Sequence, residues 1–180
     1  LRITMPLSYI TFPMLFILLL CAKPIFVLLY SDRWLQSVPY FQMLCIAGLA
    51  GRMQSVNNQA IAAVGKSRAM FTWTIVKRSV SIFLMVICLI TWGITGLLCG
   101  LIISSWFAYF VNIGLVSKFI GYKSSRQLLD ILPVAVTSVI IALIVYFVTL
   151  FMQLPLYLDG IVTFILYAMC YMAWSFVLKP

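Results

Sequence analysis

Ser31-Asp32-Arg33-Trp34-Leu35-Gln36-Ser37-Val38-Pro39-Tyr40-Phe41-Gln42 is a charged, tryptophan-bearing turn whose Val38-Pro39 pair suits the start of a helix. The chain then enters a long apolar stretch that holds Arg52 and a polar cluster, and ends it at a second basic turn, Gly65-Lys66-Ser67-Arg68. On either side of these turns lie apolar runs of about 20 residues, the length a helix needs to cross roughly 30 Å of hydrocarbon. Only 8% of the 180 residues are charged and 65% are hydrophobic. Soluble domains carry about 25% charged residues, so this chain lacks the polar surface to cover itself in water. Lipid is then its solvent, and the fold class is an all-α, polytopic membrane helix bundle.

Six spans are expected in a single transmembrane domain covering 1–180: 3–22, 39–64, 69–92, 94–116, 128–152 and 161–178. Pro6 and Pro13 should kink the first span, and Lys23-Pro24 should break it before a short apolar continuation to Tyr30. Gly48 and Gly51 are read as thinning span two for a neighbouring helix, and Gly96 and Gly100 repeat that device in GxxxG spacing. The segment Lys118–Gln127 reads as the longest polar loop. No loop is long enough for a soluble domain. The chain opens on Leu1-Arg2 with no methionine and no signal pattern, which reads as the C-terminal part of a longer protein.

Charge sets the expected orientation. The formal net charge is +9, from 12 Lys+Arg against 3 Asp+Glu, and the cations cluster between apolar runs. That distribution fits cytoplasmic-loop bias rather than nucleic-acid binding. With the N-terminus inside, the cytoplasmic side holds Arg2, Lys66, Arg68, Lys77, Arg78, Lys118, Lys123, Arg126 and Lys179. The outside keeps Lys23 and Arg33 beside Asp32 and Asp159. The expectation is therefore a multi-pass protein of a bacterial inner membrane with both ends of this segment cytoplasmic.

The chemistry is defined partly by what is missing. There is no histidine, which removes His-based dyads, triads and the usual His-containing metal sites. The three carboxylates all fall near span ends, leaving no paired acid/base machine and no mid-membrane acid for an ion relay. The five cysteines lie in apolar runs without CxxC spacing and read as small buried residues. No catalytic residue, metal or cofactor is expected. Arg52 is the sharpest positive signal, because an arginine facing lipid costs about 2.5–3.5 kcal/mol on insertion scales. At about 100° per residue, Ser55 and Gln59 lie within roughly 60° of it, with Asn58 on the border of the same face. The stripe either lines a hydrated cavity and meets an anionic group, or Arg52 snorkels. Lys77 and Arg78 divide in the same way between cavity and headgroups. Arginine's planar fork suits phosphate, which ranks Arg52 and Arg78 above Lys77. Trp34 reads as an interface anchor.

Ser31–Leu44, Ala63-Val64-Gly65-Lys66-Ser67-Arg68 and the Lys77-Arg78 pair together resemble the polysaccharide flippases of the MATE-like multidrug/oligosaccharidyl-lipid/polysaccharide (MOP) exporter superfamily. The likeness is closest to the lipopolysaccharide, O-antigen or colanic-acid branch, where the turn usually reads Gly-Asp-Lys-Trp; here Ser31 stands in place of the glycine. The resemblance implies a two-lobe bundle with alternating access, of which this chain is the C-terminal part and lacks the N-terminal lobe. The implied cargo is a polyprenyl-diphosphate-linked anionic oligosaccharide, and the implied partners are the bilayer, the missing lobe and glycan polymerase or assembly proteins. A multidrug-type exporter of the same superfamily and a non-transporting scaffold of a glycan assembly complex remain the alternatives.

Overall fold

The computed structural model describes residues 4–152 and 155–178; Arg2 and Lys179 of the expected cytoplasmic set lie outside them. Six α-helices follow in order: α1 Thr4–Leu20, α2 Ala22–Tyr30, α3 Val38–Ala63, α4 Ser67–Ile120, α5 Ser124–Met152 and α6 Leu156–Leu178, with a 3-10 turn, Asp32–Ser37, before α3. No strand occurs among the described residues. Three helical stretches, 68–120, 124–152 and 158–175, are long and apolar enough to cross a membrane, and the pair 9–20 and 22–30, bent by 62°, makes a fourth. This is a membrane helix bundle. The expected spans after the first lie on helices to within a residue, two of them within α4, and the first is divided between α1 and α2. The second expected span, on α3, is not among these apolar stretches, and its second half carries Arg52, Gln54, Ser55, Asn57, Asn58 and Gln59.

The boundaries differ from expectation at three places. The first span breaks at Cys21, not at Lys23-Pro24, because Pro24 sits in the first turn of α2, where a missing N–H costs nothing. The polar loop shrinks to 121–123, since α4 runs on to Ile120 and α5 already begins at Ser124. Gly51 would meet nothing within 4 Å if it carried a Cβ, so it does not seat a neighbouring helix but leaves space open.

Two compact units emerge, one of residues 1–8 and 46–131, the other of 9–45 and 132–180. In the first, α4 doubles back at Gly93, whose φ of 64° and ψ of −143° lie in a region essentially reserved for glycine. The arms 67–92 and 94–120 then run antiparallel, and the GxxxG pair holds them together. A Cβ on Gly96 would lie 1.9 Å from the Cys88 carbonyl oxygen, and one on Gly100 would lie 3.1 Å from the Met85 Cα. At the other end of the hairpin, Ile61 of α3 packs with Leu115 and Val116, flanked by Met70, Val111 and Phe119.

The second unit is built around Ile141, Ala142 and Val145 of α5 and Tyr167 of α6, with Phe16, Ile17 and Leu20 of α1 against them. Its tyrosines solve the problem of a hydroxyl at membrane depth by donating to carbonyls: Tyr167 to Ser138 at 3.4 Å and Tyr171 to Tyr9 at 3.0 Å. An aromatic run of Phe41, Phe26, Tyr30 and Trp34, with successive ring centroids 5.4, 5.7 and 6.0 Å apart, leads out to the 3-10 turn. Trp34 ends this run with its ring exposed.

Ser31, which precedes that turn, has φ 69° and ψ 173°, a conformation that glycine adopts freely and that costs other residues about 1–3 kcal/mol. Ser31→Gly should therefore raise the thermal midpoint of the purified protein, with a gain of about 1 kcal/mol in unfolding free energy. An unchanged or lower midpoint would show that the serine is not strained. For the hairpin, Gly96→Ala should cost about 1–3 kcal/mol through overpacking. Gly114→Ala, where a Cβ meets nothing within 4 Å, should be neutral or stabilising in the same unfolding assay.

Candidate functional site

Three helical stripes meet in the first unit. On α3 they are Gly51, Gln54, Ser55 and Asn58; on the arm 67–92, Thr74, Lys77, Arg78, Ser81 and Met85; on the arm 94–120, Leu101, Ser104, Ser105 and Ala108. Each set repeats at three and four residues, the spacing that puts side chains on one face of a helix. Together they enclose a cavity of about 290 Å³. Its lining contains two cations and no carboxylate.

Lys77 is the most deeply held of these charges. It lies ten residues after Ser67, about 15 Å along the helix and hence about halfway across a 30 Å hydrocarbon layer. Only 5% of it is exposed. Its Nζ donates to Asn112 Oδ1 on the opposite arm. Asn112 is fully buried, and its Nδ2 donates to Asn58 Oδ1 at 3.1 Å and to the Gln54 carbonyl oxygen at 3.5 Å. One amide thus ties α3 to both arms of α4 and fixes where the lysine ammonium sits. Arg78, the next residue along, is exposed and reaches the same cavity.

The hydroxyls divide into two groups. Ser104 donates to the Leu101 carbonyl at 3.0 Å and Thr74 to that of Met70 at 2.7 Å, so their protons are engaged within their own helices. Ser55, Ser81 and Ser105 have no hydrogen-bond partner among the described residues, and their hydroxyls face a cavity. Cations and hydroxyls without a counter-carboxylate suit an anionic, hydroxyl-rich ligand.

Of the residues singled out in the sequence, Ser55, Asn58, Lys77 and Arg78 come together here. Arg52 and Gln59 do not line the cavity; both are exposed on α3. The reason is one of phase. The lining stripe is centred near Gly51, and Arg52 and Gln59 lie roughly 80–100° around the helix from that centre. The sequence reading did not single out Asn112. Its signal was present, as an amide inside an otherwise apolar run, which in a membrane helix seeks a partner on another helix. Asn57 and Gln127 were missed in the same way: Gln127 Nε2 donates to Asn57 Oδ1 at 2.5 Å, binding α5 to α3, with Asn57 Nδ2 and Gln127 Oε1 left without partners. Among the described residues, no group of three or more His, Cys, Asp or Glu could hold a metal ion.

No family model matches the chain, and no solved structure matches it. A curated Klebsiella pneumoniae protein, described as an uncharacterized membrane protein in the cps region, is 31% identical over 97 residues, which are 54% of this chain. The chain spans about a fifth of that relative's length, 20%.

Proposed function

We propose that the chain is part of an integral inner-membrane transporter, not an enzyme, that moves a lipid-linked anionic oligosaccharide across the bilayer during surface polysaccharide synthesis. The observation that carries this reading is the cavity of three polar stripes in which Lys77 and Arg78 face hydroxyls with no carboxylate in the lining. A diphosphate inside a bilayer needs cations to replace its water, and a sugar needs hydrogen-bonding groups. Two further observations support it: the resemblance of Ser31–Leu44 and Lys77-Arg78 to polysaccharide flippases, and a relative described as a membrane protein of a cps region. The same cationic lining disfavours the multidrug alternative for positively charged drugs, which like charges would repel. In this proposal both ends of the segment are cytoplasmic, and the remaining lobe of the full protein completes the cavity.

Arg78→Gln in the full-length protein, reconstituted and assayed for leaflet exchange of a labelled lipid-linked sugar, should lose about tenfold to a hundredfold in rate, as the loss of about 1.5–3 kcal/mol from a charge-assisted contact implies. Arg52→Ala, outside the lining, should keep a rate within about threefold of wild type, a change of less than 1 kcal/mol. Equal loss in both variants would move the site to Arg52. Full exchange by Arg78→Gln and by Lys77→Gln would remove the cavity from transport. For stability, Asn112→Leu should cost about 3 kcal/mol, because it strands a buried ammonium. The double variant with Lys77→Met should be milder than that sum, with a coupling of 0.5 kcal/mol or more in a double-mutant unfolding cycle.

A further inference from the structure

The second unit holds a separate cavity, of about 660 Å³, at the start of α2 and α6. Its polar lining includes Lys23, Gln42, Thr149, Asp159 and Thr163. Two helix N-termini converge on it. α2 begins at Ala22 and α6 at Leu156, and the helices approach so closely at Gly160 that a Cβ there would lie 2.7 Å from Pro24 Cβ. The N–H groups of a helix's first turn have no partner within the helix and carry the positive end of its dipole; in α2 these belong to Ala22 and Lys23, since Pro24 has no N–H. Lys23 adds its ammonium in the first turn of α2, an end where the dipole disfavours a cation. A bound anion reverses that penalty, since both the dipole and the lysine then act on it.

Asp159, in the first turn of α6, supplies the opposite demand. It lines the same cavity as Lys23, yet no ion pair within 4 Å joins the two among the described residues. Neither charge is neutralised by the other, so both remain open to a ligand in the cavity. Gln42 is held by its Nε2, which donates to the Leu19 carbonyl at 3.2 Å, so its Oε1 stays available as an acceptor. Thr149 donates to the Tyr146 carbonyl at 3.1 Å, which likewise turns acceptor lone pairs to the cavity.

We infer that this cavity binds a zwitterion in which a phosphate and a primary ammonium are joined by a short linker, the chemistry of a phosphoethanolamine headgroup. The phosphate lies against Lys23 and the first turn of α2; the ammonium lies between Asp159 and the acceptors of Gln42 and Thr149. The site is distinct from the transport cavity, because no lining residue is shared between the two and its ligand has zero net charge.

Native mass spectrometry of the whole protein, released from micelles containing equal amounts of phosphatidylethanolamine and phosphatidylglycerol, tests it. The expected result is one retained phosphatidylethanolamine, favoured at least about tenfold over phosphatidylglycerol, the ratio of a single lost charge-assisted bond. Asp159→Asn should abolish that preference, and Lys23→Gln should weaken retention of both lipids. Displacement by millimolar free phosphoethanolamine would support a headgroup that binds on its own; a failure to displace would support the intact lipid as the ligand. Equal retention of the two lipids by wild type would overturn the inference without any variant. A preference that survives Asp159→Asn would overturn it as well.

Discussion

A lysine ammonium halfway across a bilayer must find its partners inside the protein, and in this chain that demand shapes the first unit. Lys77 meets Asn112, Asn112 meets Asn58 and Gln54, and three helices are thereby held in one register. Apolar side chains cannot supply such registration in lipid, because hydrocarbon outside the bundle is as good a neighbour as a leucine inside it. The close crossing at Gly96 and Gly100 makes the hairpin possible, and the amide then decides how α3 lies against it. Ser55, Ser81, Ser105 and Arg78 then face the cavity that the three stripes leave between them.

The membrane class was legible from composition, and the helices from apolar runs, since both rest on summed properties that no single contact can reverse. The GxxxG pair was legible too, because small residues at that spacing have few other uses in an apolar helix. The finer errors share one cause, which is that a helical wheel gives angles but no origin. Arg52 drew attention as the rarest residue of its span, so the polar face was centred on it; the helix turned Gly51 and Gln54 inward and left Arg52 on the flank. Asn112 could not be paired from the sequence with a lysine 35 positions earlier, because that pairing depends on the reversal at Gly93. The placement of Pro24 inside α2 moved a break by two or three residues, well within the tolerance of any boundary drawn from proline alone.

The serine at position 31 connects the two levels. Its backbone, φ 69° with an extended ψ, is a conformation more open to a residue without a Cβ. Serine holds this conformation beside the aromatic run from Phe41 to Trp34 and the 3-10 turn after it, contacts that outweigh one residue's backbone preference.

The polar row on α3 also has a consequence for biogenesis. That helix is the least apolar of the long helices, and it leaves the ribosome before the hairpin that satisfies it. From Ala63 to the end of α4 at Ile120 there are 57 residues still to be made, roughly 3–11 s at 5–20 residues per second. Through that interval Asn58 and Gln54 have no Asn112 to meet. The polar contacts that join α3 to the hairpin therefore form only once α4 has been made, although α3 is made first.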